Sequence, residues 1–218
     1  MQLIIFGAPG AGKGTLAQNI KKYKNHKHIS TGDLFRKHIK NQTELGKIAS
    51  SYIDAGELVP DEVTDDLIYS ELKLIKKDFI LDGYPRNIHQ AQRLDEILEE
   101  LEIPLTACVY LSIDKNVIVD RLLYRVVCQN CGFTYNLKIA PTKVEGICDN
   151  CGGELSHRKD DSSDVIIHRI ETYEKETAPV INFYEEKNSL VSIDCSKYDL
   201  IDNFEDVWQI LLKKEVEG

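Results

Sequence analysis

The sequence has no long apolar run. Leu3–Phe6 stops at Gly7, and Leu105–Ile113 is only strand-length, so neither a signal-peptide core nor a membrane span is expected. It also has no excess of positive charge. The formal net charge is -9, which argues against a chain that lives by non-specific nucleic-acid binding, although a local basic cluster could still hold an anionic ligand. The 6 histidines show no metal-ligand spacing. There is no low-complexity tract and no repeat beyond one pair of cysteine motifs. An Asn-Lys-x-Asp guanine reader is missing, and so is any obvious general base near the motifs described below. A cytosolic chain is the expectation, and there thiols stay reduced, so cysteine pairs point to metal or redox chemistry before structural disulfides.

What is present is ordinary in bulk. The 218 residues are 42% hydrophobic and 29% charged, enough for one full domain with a sizeable core and one or two small insertions. Short apolar runs alternate with helix-like segments. "QLIIF", "HKHIS", "DFILDG", "LTACVYLSI" and "LVSIDC" read as five strands. Helices are predicted over Lys13–Tyr23, over most of Asp33–Tyr69 with breaks near Asn41–Thr43, Gly56 and Pro60, and over Ile88–Leu101 and Lys115–Arg125. Further helices are predicted over Ser163–Lys187 with Pro179 as a break, and over Asn203–Lys214, where Trp208 should fill core space. The alternation implies an α/β fold, a five-stranded parallel sheet with helices on both faces. Ligands in such folds bind beyond the carboxyl ends of the strands. Cys108 and Cys195 fall in predicted strands and read as small buried hydrophobes.

"GAPGAGKGT", Gly7–Thr15, follows the first strand and opens a helix. Its glycines let backbone N–H groups curl around phosphate oxygens, the helix N-terminus adds partial positive charge, and Lys13 adds a full one. The general form of this P-loop places Ser or Thr directly after the lysine; here Gly14 stands there and Thr15 comes one later. Arg36, Arg86, Arg121, Arg125, Arg158 and Arg169 fall in predicted loops and helix ends, and in so acidic a chain they fit converging anion ligands better than a solvated face. Asp82 ends the apolar strand "FILD", where P-loop enzymes carry an acid on the metal side.

Cys128-x-x-Cys131 and Cys148-x-x-Cys151 face each other across 16 residues, and Gly132 and Gly152 follow the second cysteine of each pair. Four thiolates in this pattern suit a tetrahedral Zn²⁺ with no open coordination position, hence a structural clip rather than a catalytic metal. Two disulfides, a redox pair or an iron site are the alternatives.

The P-loop variant resembles that of the nucleoside monophosphate kinases. "STGDLFR", "DGYPRNIHQ", "VDRLLYR", "KVEGICDNCGGEL" and "HRKDD" then occur in the order expected of the adenylate kinase family in its long bacterial form. The resemblance implies a P-loop core (1–29, 60–125 and 165–218), a helical AMP-binding insert (30–59) and a zinc-binding lid (126–164). It implies that Gly10, Ala11, Gly12, Lys13, Gly14 and Thr15 wrap the ATP phosphates, with Arg121 and Arg125 serving ATP and Thr134, Tyr135 and Lys197 near its far end. AMP would be held by Thr31, Arg36, the Glu57-Leu58-Val59 backbone, Gly83, Arg86 and Gln90, with Gln90 on the adenine. Arg158 and Arg169 would bridge the transferring phosphoryl group. Lys13, Arg86, Arg125, Arg158 and Arg169 form the implied catalytic set, Asp33 and Asp82 the acids linked to Mg²⁺ through water, and Asp160 and Asp161 the lid hinge. Tyr124, Val126 and the "IAPTK" run depart from the family pattern on the lid side.

The implied reaction is MgATP plus AMP to two ADP, in both directions. The attacking phosphate oxygen is already anionic, so positioning and charge neutralisation suffice without a side-chain base. The expected partners are ATP, AMP and ADP, with no nucleic acid and no membrane, and the expected state is a monomer. Related pyrimidine kinases tend to carry Ala where Thr31 stands, which favours AMP over the alternative of a UMP/CMP- or GMP-directed kinase. A zinc-ribbon nucleic-acid module is the alternative from another class; "FTYNLK" and "HRK" would serve it, and the overall charge opposes it.

Overall fold

The structure is a computed structural model that describes residues 1–195, 200 and 202–217. In chain order the elements are β1 (Gln2–Gly7), α1 (Lys13–Lys24), β2 (Lys27–Ser30), α2 (Thr31–Lys40), α3 (Glu44–Ala55), α4 (Asp61–Leu74), β3 (Phe79–Asp82), α5 (Ile88–Glu100), β4 (Ala107–Ser112) and α6 (Lys115–Leu123). There follow β5 (Arg125–Cys128), β6 (Thr134–Asn136), β7 (Leu155–Ser156), α7 (Ser163–Thr172), α8 (Ala178–Glu186), β8 (Leu190–Asp194) and α9 (Phe204–Glu217).

The main sheet has the order β2-β3-β1-β4-β8 and every pairing is parallel. Alternate residues of β1 serve opposite faces, as a strand's period of two requires. Leu3 and Ile5 pack with Leu16, Ile20, Val207, Trp208 and Leu211 of α1 and α9. Ile4 and Phe6 pack with Ile68, Leu94, Ile97, Val180 and Tyr184 of α4, α5 and α8. Burial on both faces explains why the strands read as continuous apolar runs. Cys108 and Cys195 are buried here as expected.

Two insertions leave this sheet. Between β2 and α4, helices α2 and α3 enclose a small apolar cluster of Phe35, Ala49 and Val59. Between α6 and α7, β5 pairs antiparallel with β6 and β7 in the order β6-β5-β7. Only Val126, Cys128 and Cys148 are buried in residues 126–159.

Three expectations need correction. Arg125 is not the end of a helix: α6 stops at Leu123, and Arg125 opens β5, paired with Asn136. Pro179 breaks nothing, because proline is tolerated in the first turn of α8; the interruption is a π-helical turn over Tyr173–Thr177 just before it. Arg36 lies in the body of α2 rather than at a loop or helix end.

Candidate active site and metal centre

A cavity of about 660 Å³ opens beyond the carboxyl ends of β1, β2 and β3. β1 delivers the Gly-rich turn, and Gly12, at φ 101, is the left-handed step through which the turn enters α1. Lys13, the first residue of that helix, folds its ammonium back to donate to the carbonyls of Gly7 at 2.7 Å and Ala8 at 2.9 Å. Gly10, Gly12, Gly14 and Thr15 line the cavity with it; Ala11 is buried behind them.

β3 ends at Asp82, whose Oδ2 lies 3.1 Å from Nε2 of His28. Burial would raise the Asp82 carboxyl, but the His28 contact and the cations Lys13 and Arg86 outweigh it and hold it below the usual carboxylate range. On the same side Thr31 Oγ1 donates to the Gly83 carbonyl at 2.8 Å, and Arg86 Nε donates to that same oxygen at 2.8 Å. With its proton committed there, the Thr31 hydroxyl has only lone pairs left for other partners. Arg36 Nη2 donates to Asp33 Oδ1 at 2.6 Å, and Glu57, Leu58 and Val59 line the wall between α3 and α4.

The lid end is organised by two acids in a single 3-10 turn, Lys159–Asp161. Asp161 accepts from Arg125 Nε at 2.8 Å and Nη2 at 2.6 Å, and from Arg169 Nη1 at 2.8 Å. Asp160 Oδ2 lies 3.0 Å from Arg169 Nη1. Two carboxylates thus fix two guanidinium forks, while Arg158 keeps a buried Nε with no hydrogen-bond partner and an Nη2 at 3.9 Å from Asp33. Arg121, Thr134 and Tyr135 also line the cavity. Lys197 lies outside the described residues.

Positive charge is crowded here. Burial, with the neighbouring arginines adding to it and Asp82 opposing, brings the Lys13 ammonium down to about 7. Burial and nearby arginines also lower Arg158 to about 9 and Arg86 to about 10. Such a set is poised for a polyanion, which would restore favourable surroundings to every one of these cations.

At the lid tip the four Sγ atoms of Cys128, Cys131, Cys148 and Cys151 lie within 4.8 Å of one another, and all four cysteines are free. Two thiolates on one tetrahedral Zn²⁺ stand roughly 3.8 Å apart, given Zn–S bonds of about 2.3 Å; the Cys128–Cys151 and Cys131–Cys148 pairs, at 3.5 and 3.6 Å, are close to that. Each pair forms a tight knuckle: Gly132 N–H donates to the Cys128 carbonyl at 3.0 Å, and Gly152 N–H to the Cys148 carbonyl at 2.8 Å. Both glycines have positive φ, 74 and 72, with open space around them, so backbone conformation rather than crowding selects glycine. Burial would raise the Cys148 thiol, but the Tyr135 hydroxyl at 3.3 Å and the Asn150 and Cys151 amides bring it down to about 6. The donor set fits a thiophilic divalent metal.

All predicted site residues among those described, apart from Ala11, Asp161 and the four cysteines, line the one cavity. Sequence reading missed several neighbours. His28 touches Asp82, a contact visible only once β2 is known to pair with β3 so that Ser30 faces Asp82. Gln18 of α1 donates to the Gly132 carbonyl at 2.8 Å and ties the first knuckle to the P-loop helix. Asp61 accepts from Gln90 and Asn87, and carries no local sequence signal.

A family model described as "Adenylate kinase" matches residues 5–189. The chain is 47% identical over 214 residues to an adenylate kinase of Caldanaerobacter subterraneus subsp. tengcongensis, covering 97% of this chain and 96% of that protein. It is 46% identical over 213 residues to one of Staphylococcus aureus, covering 97% and 99%. It is 48% identical over 195 residues to one of Acetivibrio thermocellus, covering 88% and 90%.

Proposed function

Because the chain belongs to the adenylate kinase family and so transfers a phosphoryl group from ATP to AMP to give two ADP, we propose that Lys13, Arg86, Arg125, Arg158 and Arg169 carry that transfer. The observation that supports this reading most is the convergence of these cations on one cavity beyond the P-loop. Two nucleotides brought phosphate to phosphate repel each other strongly, and fixed buried cations offset that repulsion most where charge develops. The acceptor is an AMP phosphate oxygen, so no general base is required. Arg125 and Arg169, locked onto Asp161, are held in place before substrate arrives; Arg158, free at Nε, has donors to spare for a phosphoryl oxygen.

ATP occupies the P-loop end, over Gly10–Thr15 and beneath Arg121, Thr134 and Tyr135. AMP occupies the side formed by Thr31, Arg36, Glu57–Val59, Gly83, Arg86 and Gln90. ATP enters as its Mg²⁺ complex, with Asp33 and Asp82 on the metal side through water. The segments 30–59 and 126–164 act as mobile inserts on a core of 1–29, 60–125 and 165–218. Contacts between the two inserts and the helix after the lid, Arg158 to Asp33 at 3.9 Å and His168 Nε2 to Glu57 Oε1 at 2.7 Å, suit a closed arrangement that keeps water from competing as acceptor. The four cysteines hold a structural Zn²⁺ whose contribution is folding free energy for the lid. No helix among the described residues is long and apolar enough to cross a membrane; a cytoplasmic monomer working on free nucleotides is the proposed setting.

The test is ADP formation by purified protein from ATP with AMP, CMP, UMP or GMP in turn. AMP should be preferred strongly, because a site that hydrogen-bonds one base leaves buried groups unpaired with another. Equal rates with UMP and AMP would reject the assignment of Thr31 and Gln90.

A further inference from the structure

Gln90 is 2% exposed and lines the AMP end of the cavity. Its amide is held from two sides by groups whose hydrogen-bonding roles are not interchangeable. The backbone N–H of Arg86, which only donates, lies 2.8 Å from Oε1. The carboxylate of Asp61, which only accepts when ionised, lies 2.7 Å from Nε2. A flipped amide would set donor against donor on one side and acceptor against acceptor on the other. The orientation is therefore fixed by chemistry, not merely by fit.

Asp61 is positioned to hold this arrangement. It stands behind the cavity wall, at the first residue of α4, and its two oxygens also accept from Asn87 Nδ2 at 3.0 and 3.1 Å. Asn87 in turn caps α5 by accepting from the Gln90 N–H at 2.8 Å. His89 Nδ1 approaches the second Asp61 oxygen at 3.3 Å, from a side chain that is itself exposed.

With one N–H and one lone pair spent inside the protein, Gln90 has one N–H and one lone pair left for a base. A 6-aminopurine presenting its N6/N1 edge matches that remainder, since N6–H donates and ring nitrogen N1 accepts. A 6-oxopurine inverts both groups on that edge, with an O6 acceptor opposite the carbonyl oxygen of Gln90 and an N1–H donor opposite its amide N–H; it would be matched only by the flipped amide. We propose that Asp61 is a specificity-determining positioning residue, which by pinning the Gln90 amide makes the acceptor site select 6-aminopurine over 6-oxopurine monophosphates. This rests on the assignment of Gln90 to the adenine.

The experiment measures kcat and KM for AMP, IMP and MgATP in wild type, Asp61→Asn, Asp61→Ala and Gln90→Leu, with melting temperatures of each. Asp61→Asn keeps size and helix contacts while allowing its own amide to donate to a flipped Gln90. The expected result is a KM for AMP raised about tenfold, a KM for MgATP unchanged within about twofold, and an AMP-over-IMP ratio of kcat/KM lowered about tenfold or more in both Asp61 variants. If Gln90→Leu loses the AMP-over-IMP preference while both Asp61 variants keep it, Asp61 has no part in selection and the proposal fails alone. If Gln90→Leu keeps the preference, the assignment of Gln90 to adenine fails, and the proposal with it. A rise in both KM values with an unchanged AMP-over-IMP ratio would reduce Asp61 to a structural residue and overturn the proposal.

Discussion

Along β1 every side chain from Leu3 to Phe6 is buried, and the buried clusters on the two faces of the sheet draw on five helices, α1, α4, α5, α8 and α9. In the lid, Leu137, Ile139, Val144 and Ile147 are exposed, and Val126, Cys128 and Cys148 are the only buried residues before the Asp160–Asp161 pair. The sheet gains roughly 1.5–3 kcal/mol for each large apolar side chain it buries. A three-stranded patch with so few buried side chains cannot stabilise itself that way, and the Zn²⁺ proposed for its four thiolates would supply the cross-link. The cations proposed for the transfer are shared between the two regions. Lys13 opens α1 and Arg86 lies in the loop after β3, both in the core, whereas Arg125 and Arg158 flank the lid strands and face Asp161 and Asp33. The charge cluster is complete only where the sheet, stabilised by burial, meets the lid with its four-cysteine cluster.

The sharpest way to separate the two is to remove charge from the core without touching its packing. Lys13→Met keeps most of the side-chain volume and should lower kcat about 10²–10³-fold while leaving the melting temperature within a few degrees of wild type. Steady-state ADP formation beside a thermal melt checks it; near-normal turnover would remove the lysine from the chemistry. The next largest effect is a cavity in the core. Leu81 is fully buried, and Leu81→Ala should cost about 2–5 kcal/mol in denaturant unfolding.

A smaller effect comes from the crowding of cations. Lys13 titrates at about 7 in the free protein, below its ordinary value, so from pH 7 upward it is increasingly neutral. Polyphosphate restores its charge, so binding takes up a proton, and affinity for ATP falls as pH rises above 7, by up to about tenfold per unit. Below pH 7 the ammonium is already charged and uptake vanishes. Calorimetric titration of ATP at pH 8 in two buffers of different ionisation enthalpy should show uptake approaching one proton, and its absence would contradict the shifted lysine. The smallest effect belongs to the lid surface. Val144 is 60% exposed, and Val144→Ala should change stability by no more than about 0.5 kcal/mol. A loss comparable with that of Leu81→Ala would mean the lid has an apolar core after all.

The same contrast explains what could be read from the sequence. The doubly buried strands and the Gly-rich turn announce themselves within short local stretches, and the two Cys-x-x-Cys pairs by a repeated four-residue motif. The helix expected over Lys115–Arg125 overran because "VIVDRLLYR" keeps its apolar spacing past Leu123; what ends the helix is the pairing of Arg125 with Asn136, a contact with a distant strand. The lid strands, only two to four residues long, are too short to show a period. Asp61 was invisible for a related reason. Its partner Gln90 is 29 residues away, and only the packing of α4 beside α5 brings them together.

The most direct test of the division between chemistry in the cation cluster and coordination in the lid is one set of measurements on wild type and Cys128→Ser/Cys131→Ser: bound metal, melting temperature, and ADP formation at low temperature. The expected result is tightly bound Zn²⁺ in wild type only, a lower melting temperature in the variant, and phosphoryl transfer that is reduced but measurable. A variant that remains folded and binds nucleotide yet has lost all transfer, or a wild type without tightly bound metal, would contradict it.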